Sequence, residues 1–116
     1  MWAEAQKGDA VAQFSLGVMC IAGKEVRQDL KLAADWFRKA AEQGHARSQY
    51  SIALSFIQGK TVPKDMVEAL KWLRRAADQG EDSAQASLGY AYATGDGVAQ
   101  DLAEAYKWYS LALVKS

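Results

Sequence analysis

Residues that staple a chain, hold a metal or run acid-base chemistry are scarce here. There is one cysteine, Cys20, so no internal disulfide can form and the fold owes nothing to an oxidising compartment. There is one histidine, His45, and no second to share a metal; no CxxC, HExxH or phosphate-binding glycine loop occurs. Cys20 reads as a small core hydrophobe and His45 as a solvated turn residue. Net charge is also missing, because 14 basic residues balance 14 acidic ones. That leaves no electrostatic footprint for nucleic acid or an anionic membrane. The most apolar run, residues 14–22, is broken by Ser15 and Gly17 and is far too short to span a bilayer. The opening MWAEAQKGD contains Glu4 and no apolar core, unlike a secretory signal. These absences predict a soluble, cytoplasmic, non-catalytic protein with no cofactor, no metal, no nucleic-acid partner and no membrane insertion.

What the chain does have is repetition. Sliding it by 36 residues superposes Gly8/Gly44/Gly80, Gln13/Gln49/Gln85, Gly23/Gly59/Gly95 and Val26/Val62/Val98. The same shift aligns Asp29/Asp65/Asp101, Ala33/Ala69/Ala105, Trp36/Trp72/Trp108 and Ala40/Ala76/Ala112. Eight columns identical in three copies define an array. The expected division is a partial capping helix over 1–7, with Met1 and Trp2 as a lid, then repeats over 8–43, 44–79 and 80–116, all in one domain. Half of the residues are hydrophobic, enough for a domain of this size to bury roughly two-thirds of its unfolded surface.

Each copy holds two helical segments and no strand-like alternation, so the class is all-α. The first segment runs over about Asp9 to Ala22, His45 to Gln58 and Asp82 to Thr94. Ala12/Leu16/Cys20, Ser48/Ile52/Phe56 and Ala84/Leu88/Tyr92 recur at i, i+4, i+8 as a buried stripe. Beside it, Gly17/Ala53/Gly89 predicts a close helix-helix approach, since glycine otherwise costs about 1 kcal/mol against alanine in a helix. Gly23, Gly59 and Gly95 are the expected C-terminal caps. A five-residue loop follows, anchored by Val26, Val62 or Val98, with Pro63 marking it in the middle copy. Asp29, Asp65 and Asp101 then serve as N-caps, with Glu68 and Glu104 completing a capping-box pair. Standing one unit apart, about 10 Å in a stack of helix pairs, these aspartates are too distant for an acid-base dyad. In the second segment Ala33/Trp36/Phe37/Ala40 and Ala69/Trp72/Leu73/Ala76 form an apolar face, while Asp35 and Lys39 can pair on the other.

A unit reading A-Q-x-x-L-G, then Gly, V-x-x-D and A-x-x-W-x-x-K-A-A-x-x-G resembles the Sel-1-like repeat family, a relative of the tetratricopeptide repeat. Ala12, Gln13, Leu16, Gly17, Gly23, Val26, Asp29, Ala33, Trp36, Lys39, Ala40, Ala41 and Gly44 carry the match, with their equivalents in the later copies. Departures are Cys20 for the usual aromatic, Ile52-Ala53 for Leu-Gly, and Arg75 and Leu111 for Lys39. The resemblance implies a right-handed α/α superhelical solenoid of three helix pairs. It also implies a scaffold or adaptor that binds proteins or peptides, usually without catalysis. The family spans signalling adaptors, quality-control components and bacterial virulence or immunity proteins.

In such stacks the first helix of each pair lines the concave side. Opposite its buried stripe stand Val11, Ser15 and Val18 in the first copy, and Arg47, Ser51, Leu54 and Gln58 in the second. The third copy supplies Ser83, Ser87, Tyr90 and Thr94. Columns here change character between copies while the framework stays constant, which predicts a peptide groove with a serine floor, apolar anchors at Val18, Leu54 and Tyr90, and a charged one at Arg47. A second candidate surface lies on the last helix, where Tyr106, Tyr109, Leu111, Leu113 and Val114 form an apolar patch. It suits either the next helix of a longer array or a homodimer.

Overall fold

The computed structural model describes residues 6–22, 30–59 and 62–115; the side chains of 20–22, 30, 31 and 115 also lie outside the description. Residues 1–5, which hold most of the expected capping helix and its lid, are therefore not covered. Neither are Gly23, Val26 and Asp29 of the first loop, nor the side chain of Cys20.

Among the described residues there are six helices and no strand: α1 (Ala10–Ala22), α2 (Leu30–Glu42), α3 (Ala46–Gln58), α4 (Met66–Asp78), α5 (Asp82–Thr94) and α6 (Leu102–Lys115). Each packs on its sequence neighbours, α1 on α2, α2 on α3 and so on to α6. A chain whose helices pack chiefly on their sequence neighbours grows along one axis, and the extents are 45 × 28 × 22 Å. The radius of gyration, 14.8 Å, exceeds the roughly 13 Å of a compact domain of this length.

The repeated columns make this stack. Ala33, Trp36, Phe37 and Ala40 of α2 are buried, as are Ala69, Trp72, Leu73 and Ala76 of α4. Of these, Ala33, Trp36, Phe37, Trp72, Leu73 and Ala76 join Leu16, Ile52 and Leu88 of the first helices in one continuous core. Over the tryptophans lie cations: Lys39 Nζ is 4.6 Å from the Trp36 ring, Arg75 4.8 Å from Trp72 and Lys107 4.7 Å from Trp108. Lys39 thus covers a ring, where the sequence suggested an ion pair with Asp35; a cation above indole also shields the ring's face from water.

Glycine 17 and its equivalents explain the tight approach. A β-carbon on Gly17 would lie 2.6 Å from Phe37 Cε1, and one on Gly89 would lie 3.0 Å from Tyr109 Cδ1. In the middle copy the ring is replaced by Leu73, and the opposing column holds Ala53. The substitution that departs from the family pattern is therefore compensated across the helix pair.

Polar junctions repeat as well. Gln49 and Gln85 are buried, and each donates its amide to the preceding pair, to the carbonyls of Ala41 and Ala77 at 3.1 Å. Gln43 and Gln79 in turn donate to Gln13 and Gln49 at 2.8 and 2.9 Å. Gln49 and Gln85 thus tie each pair to the one before it, while Gln43 and Gln79 join the two helices of their own pair.

The helix ends follow the expected chemistry with two corrections. Gly59 and Gly95 adopt left-handed φ of 68° and 73° and cap α3 and α5. Asp65 and Asp101 accept the backbone N–H of Glu68 and Glu104 at 3.0 and 3.1 Å. The reciprocal half of the capping box does not form. The N–H groups of Asp65 and Asp101 donate instead to Phe56 and Tyr92 carbonyls at the ends of α3 and α5, leaving Glu68 and Glu104 to pair with Lys71 and Lys107. His45 is likewise no plain turn residue. It is the N-cap of α3, its Nδ1 accepting the N–H of Ser48 at 3.2 Å and lying 2.7 Å from the Ser48 hydroxyl. Asp9 and Glu81 occupy the same column and cap α1 and α5 with carboxylates.

Candidate functional site

Two clefts open along the row of first helices, one repeat apart. The first, about 350 Å³, lies between α1 and α3 and contains Val18, Arg47, Ser51, Leu54 and Gln58 from the expected groove. The second, about 360 Å³, lies between α3 and α5 and contains Leu54, Ser87 and Tyr90. Leu54 borders both. It forms the ridge between two successive sockets, because position 54 of one cleft becomes position 90 of the next after a 36-residue step.

Other groove candidates are placed differently. Ser83 borders a third, smaller cleft of about 280 Å³ with Tyr109, Ala112 and Leu113, beyond α5 at the end of the stack. Val11, Ser15 and Thr94 line none of these clefts, and Val11 and Thr94 are exposed. The serine floor has a feature that spacing could not reveal. Ser15, Ser51 and Ser87 each donate a hydroxyl to the carbonyl four residues back, at 3.0, 3.1 and 2.9 Å. Their donors are committed to their own helix, so where Ser51 and Ser87 line the clefts they offer small apolar surface and oxygen acceptors.

Several lining residues were not anticipated. Phe14 and Tyr50 wall the first cleft, and Ala86 stands in their column in the second. Phe37 and Leu73 close the backs of the two clefts from the second helices. The signal was available in the periodicity: a face turned to a groove is more than 100° wide, and Phe14 and Tyr50 lie next to Ser15 and Ser51. Phe14 also meets the Phe37 ring at 5.5 Å and the His45 ring at 5.1 Å between centroids. This partial burial lowers the His45 pKa below the usual 6.5 by desolvation.

Charge is sparse and located at opposite ends. Arg47 edges the first cleft and Asp96 the second, and neither joins an ion pair among the described residues. Arg74, outside the groove, hydrogen-bonds the Tyr92 hydroxyl. Among the described residues no three His, Cys, Asp or Glu side chains gather as a metal site, and no helix is long and apolar enough to cross a membrane.

The terminal patch divides. Tyr106, Tyr109 and Leu113 occupy columns that in α4 hold Leu70, Leu73 and Ala77, all buried. Leu111 and Val114 are exposed too, but they occupy the solvent columns of Arg75 and Asp78.

The Sel1 repeat family model matches residues 10–45, 46–81 and 82–113. Among solved structures, a protective antigen of uropathogenic Escherichia coli, c5321, which displays an SLR fold, superposes with a TM-score of 0.92 at 42% identity. That match covers 97% of this chain and 24% of the antigen. A Sel1 repeat protein from Oxalobacter formigenes matches at a TM-score of 0.91 and 35% identity, over 95% of this chain and 45% of that one. The cysteine-rich protein B of Helicobacter pylori shares the fold at a TM-score of 0.76 and 22% identity, over 96% and 87%. The chain thus spans about a quarter of the antigen and under half of the Oxalobacter protein. No curated protein matches it.

Proposed function

This chain belongs to the Sel1 repeat family, whose members are in general protein-interaction scaffolds, and from that premise we propose that it is a non-catalytic module that binds a protein or peptide along its first helices. The observation that carries this reading is the pair of equal, largely apolar clefts one repeat apart with Leu54 between them. A ligand that fills both must present two apolar groups about 10 Å apart, the spacing of successive helix pairs. An extended peptide advances about 3.3 Å per residue, so residues i and i+3 meet that demand. Arg47 and Asp96 then read the charge of its two ends. A serine nucleophile has no support in the groove, where the hydroxyls of Ser51 and Ser87 donate to their own helices.

The test is selection from a random peptide library on the immobilised chain, followed by titration of the selected peptides against Leu54→Glu and Tyr90→Glu. Loss of binding by at least tenfold, with helicity unchanged by circular dichroism, is the expected result. Unaltered affinity in both variants overturns the groove.

A further inference from the structure

Each second helix presents an apolar seam toward the following copy, spaced four, three and four residues. In α4 it reads Met66, Leu70, Leu73, Ala77, and in α6 Leu102, Tyr106, Tyr109, Leu113. Under α5, Leu70, Leu73 and Ala77 are 7%, 1% and 2% exposed. In α6 the four seam residues are 68%, 76%, 36% and 72% exposed. Alternating four- and three-residue steps are the spacing of a two-helix seam. Here that seam faces solvent.

Its composition departs from the internal junctions in a specific direction. The second column runs Ala34, Leu70, Tyr106 and the fourth Ala41, Ala77, Leu113. Alanine at 41 and 77 lets the next first helix come close enough for a glutamine amide to reach their carbonyls at 3.1 Å. Leucine at 113 holds a helix further out, so the face does not reproduce an internal junction. Read from either end, Leu-Tyr-Tyr-Leu at four, three, four is the same. A seam that is its own reverse fits an antiparallel copy of itself, leucine against leucine and tyrosine against tyrosine.

Charge and area point the same way. Ala103 and Ser110 border the seam, and the nearby charges Glu104 and Lys107 are paired with each other at 3.4 Å. The two charges that α6 carries beside the seam therefore enter a two-fold pair already balanced against each other. Weighting each side chain by its exposure, the four residues offer about 500 Å² per copy, below the roughly 800 Å² of a standard interface. An area of that size belongs to the weak, reversible end of protein association.

We propose that two copies of this chain associate through Leu102, Tyr106, Tyr109 and Leu113, with α6 antiparallel to its mate about a two-fold axis between Tyr106 and Tyr109. Leu102 then faces Leu113 of the partner subunit, and the helix dipoles oppose favourably. Tyr109 is held in place from behind by contact with Gly89, so its ring is a fixed floor. The surface is separate from the two clefts, and either can fail without the other.

The test is mass by light scattering over about 5 to 500 µM, a range suited to weak association. The wild-type mass should double across the series. Leu113→Glu and Tyr106→Glu should each stay monomeric with unchanged helicity, while Leu111→Glu, off the seam, should dimerise like the wild type. Mixing Leu102→Lys with Leu113→Glu should restore a heterodimer, because the antiparallel arrangement alone brings those two positions together. A monomer at every concentration, as expected if a following helix of a longer array is the native cover, overturns the proposal. So does a dimer that survives both Leu113→Glu and Tyr106→Glu, or a mixture that stays monomeric.

Discussion

The middle helix pair and the two outer pairs solve the same packing problem with different parts. In the outer pairs a glycine in the first helix receives an aromatic ring from the second, Gly17 under Phe37 and Gly89 under Tyr109. In the middle pair Ala53 stands opposite the column of Leu73, and both are buried. The caps differ along the same line: carboxylates from Asp9 and Glu81 begin α1 and α5, whereas α3 begins with the imidazole of His45. A repeat column therefore conserves a volume or a lone pair, shared between two positions, more strictly than it conserves a residue type.

Exchanging parts between the pairs sharpens this comparison. Leu73→Phe should overpack the middle pair and lower its unfolding free energy by about 2 kcal/mol, the usual cost of added core volume. Adding Ala53→Gly should return most of that loss, less the roughly 1 kcal/mol that glycine costs a helix. Urea denaturation of the two singles and the double measures the coupling; strict additivity would break the compensation argument.

The converse exchange is smaller. Gly17→Ala gains about 1 kcal/mol of helix propensity and forces the buried Phe37 ring to move, at a cost of about 1 to 3 kcal/mol. A net loss of about 1 kcal/mol is expected in thermal unfolding, and Phe37→Leu in the same chain should reverse its sign.

The caps come next. Asp65→Ala should cost about 1 kcal/mol, while Glu68→Ala should cost under about 0.5 kcal/mol, since Glu68 only pairs with Lys71 at the surface. Equal losses in urea denaturation would mean that the reciprocal capping box forms after all.

Weakest is the pH response of the middle pair. His45 must be neutral at Nδ1 to accept the Ser48 N–H, and its folded pKa lies below the usual 6.5. Protons bind the unfolded chain more readily, so this contribution is complete above pH 6.5 and is lost as pH falls through the lowered value. The wild-type melting temperature should drop slightly more than that of His45→Asp between pH 7.5 and pH 5. Parallel curves would remove His45 from the list of stabilising caps.

Much of this was legible without coordinates because a 36-residue translation does the work of an alignment. Trp36, Trp72 and Trp108 recur in a column that must face one core, and the glycines at 59 and 95 mark helix ends through the φ they need. The cap column Asp9/His45/Glu81 was harder to read, since three chemically different side chains share only an acceptor atom. The reciprocal capping box was expected at Asp65 and Glu68 because local spacing allows it. It is absent because the Asp65 N–H reaches Phe56 across the loop, a partner set by tertiary closure.

Clefts show the same division. Spacing fixes the angle of Leu54 and Tyr90 around their own helices, and both line clefts; the same reasoning selects Val11 and Thr94, which do not. A cleft is made by two helices 36 residues apart, and its walls depend on how far apart those helices settle. The sequence by itself determined the helix pairs, their register and the columns that bury, because these follow from periods of 3.6 and 36 residues. Tertiary structure alone decided how the clefts close, with Ser51 and Ser87 lining them and their column-mate Ser15 left outside. Those relations are set by the distance and rotation between neighbouring helices, which the matched volumes of Gly17 with Phe37 and Gly89 with Tyr109 fix.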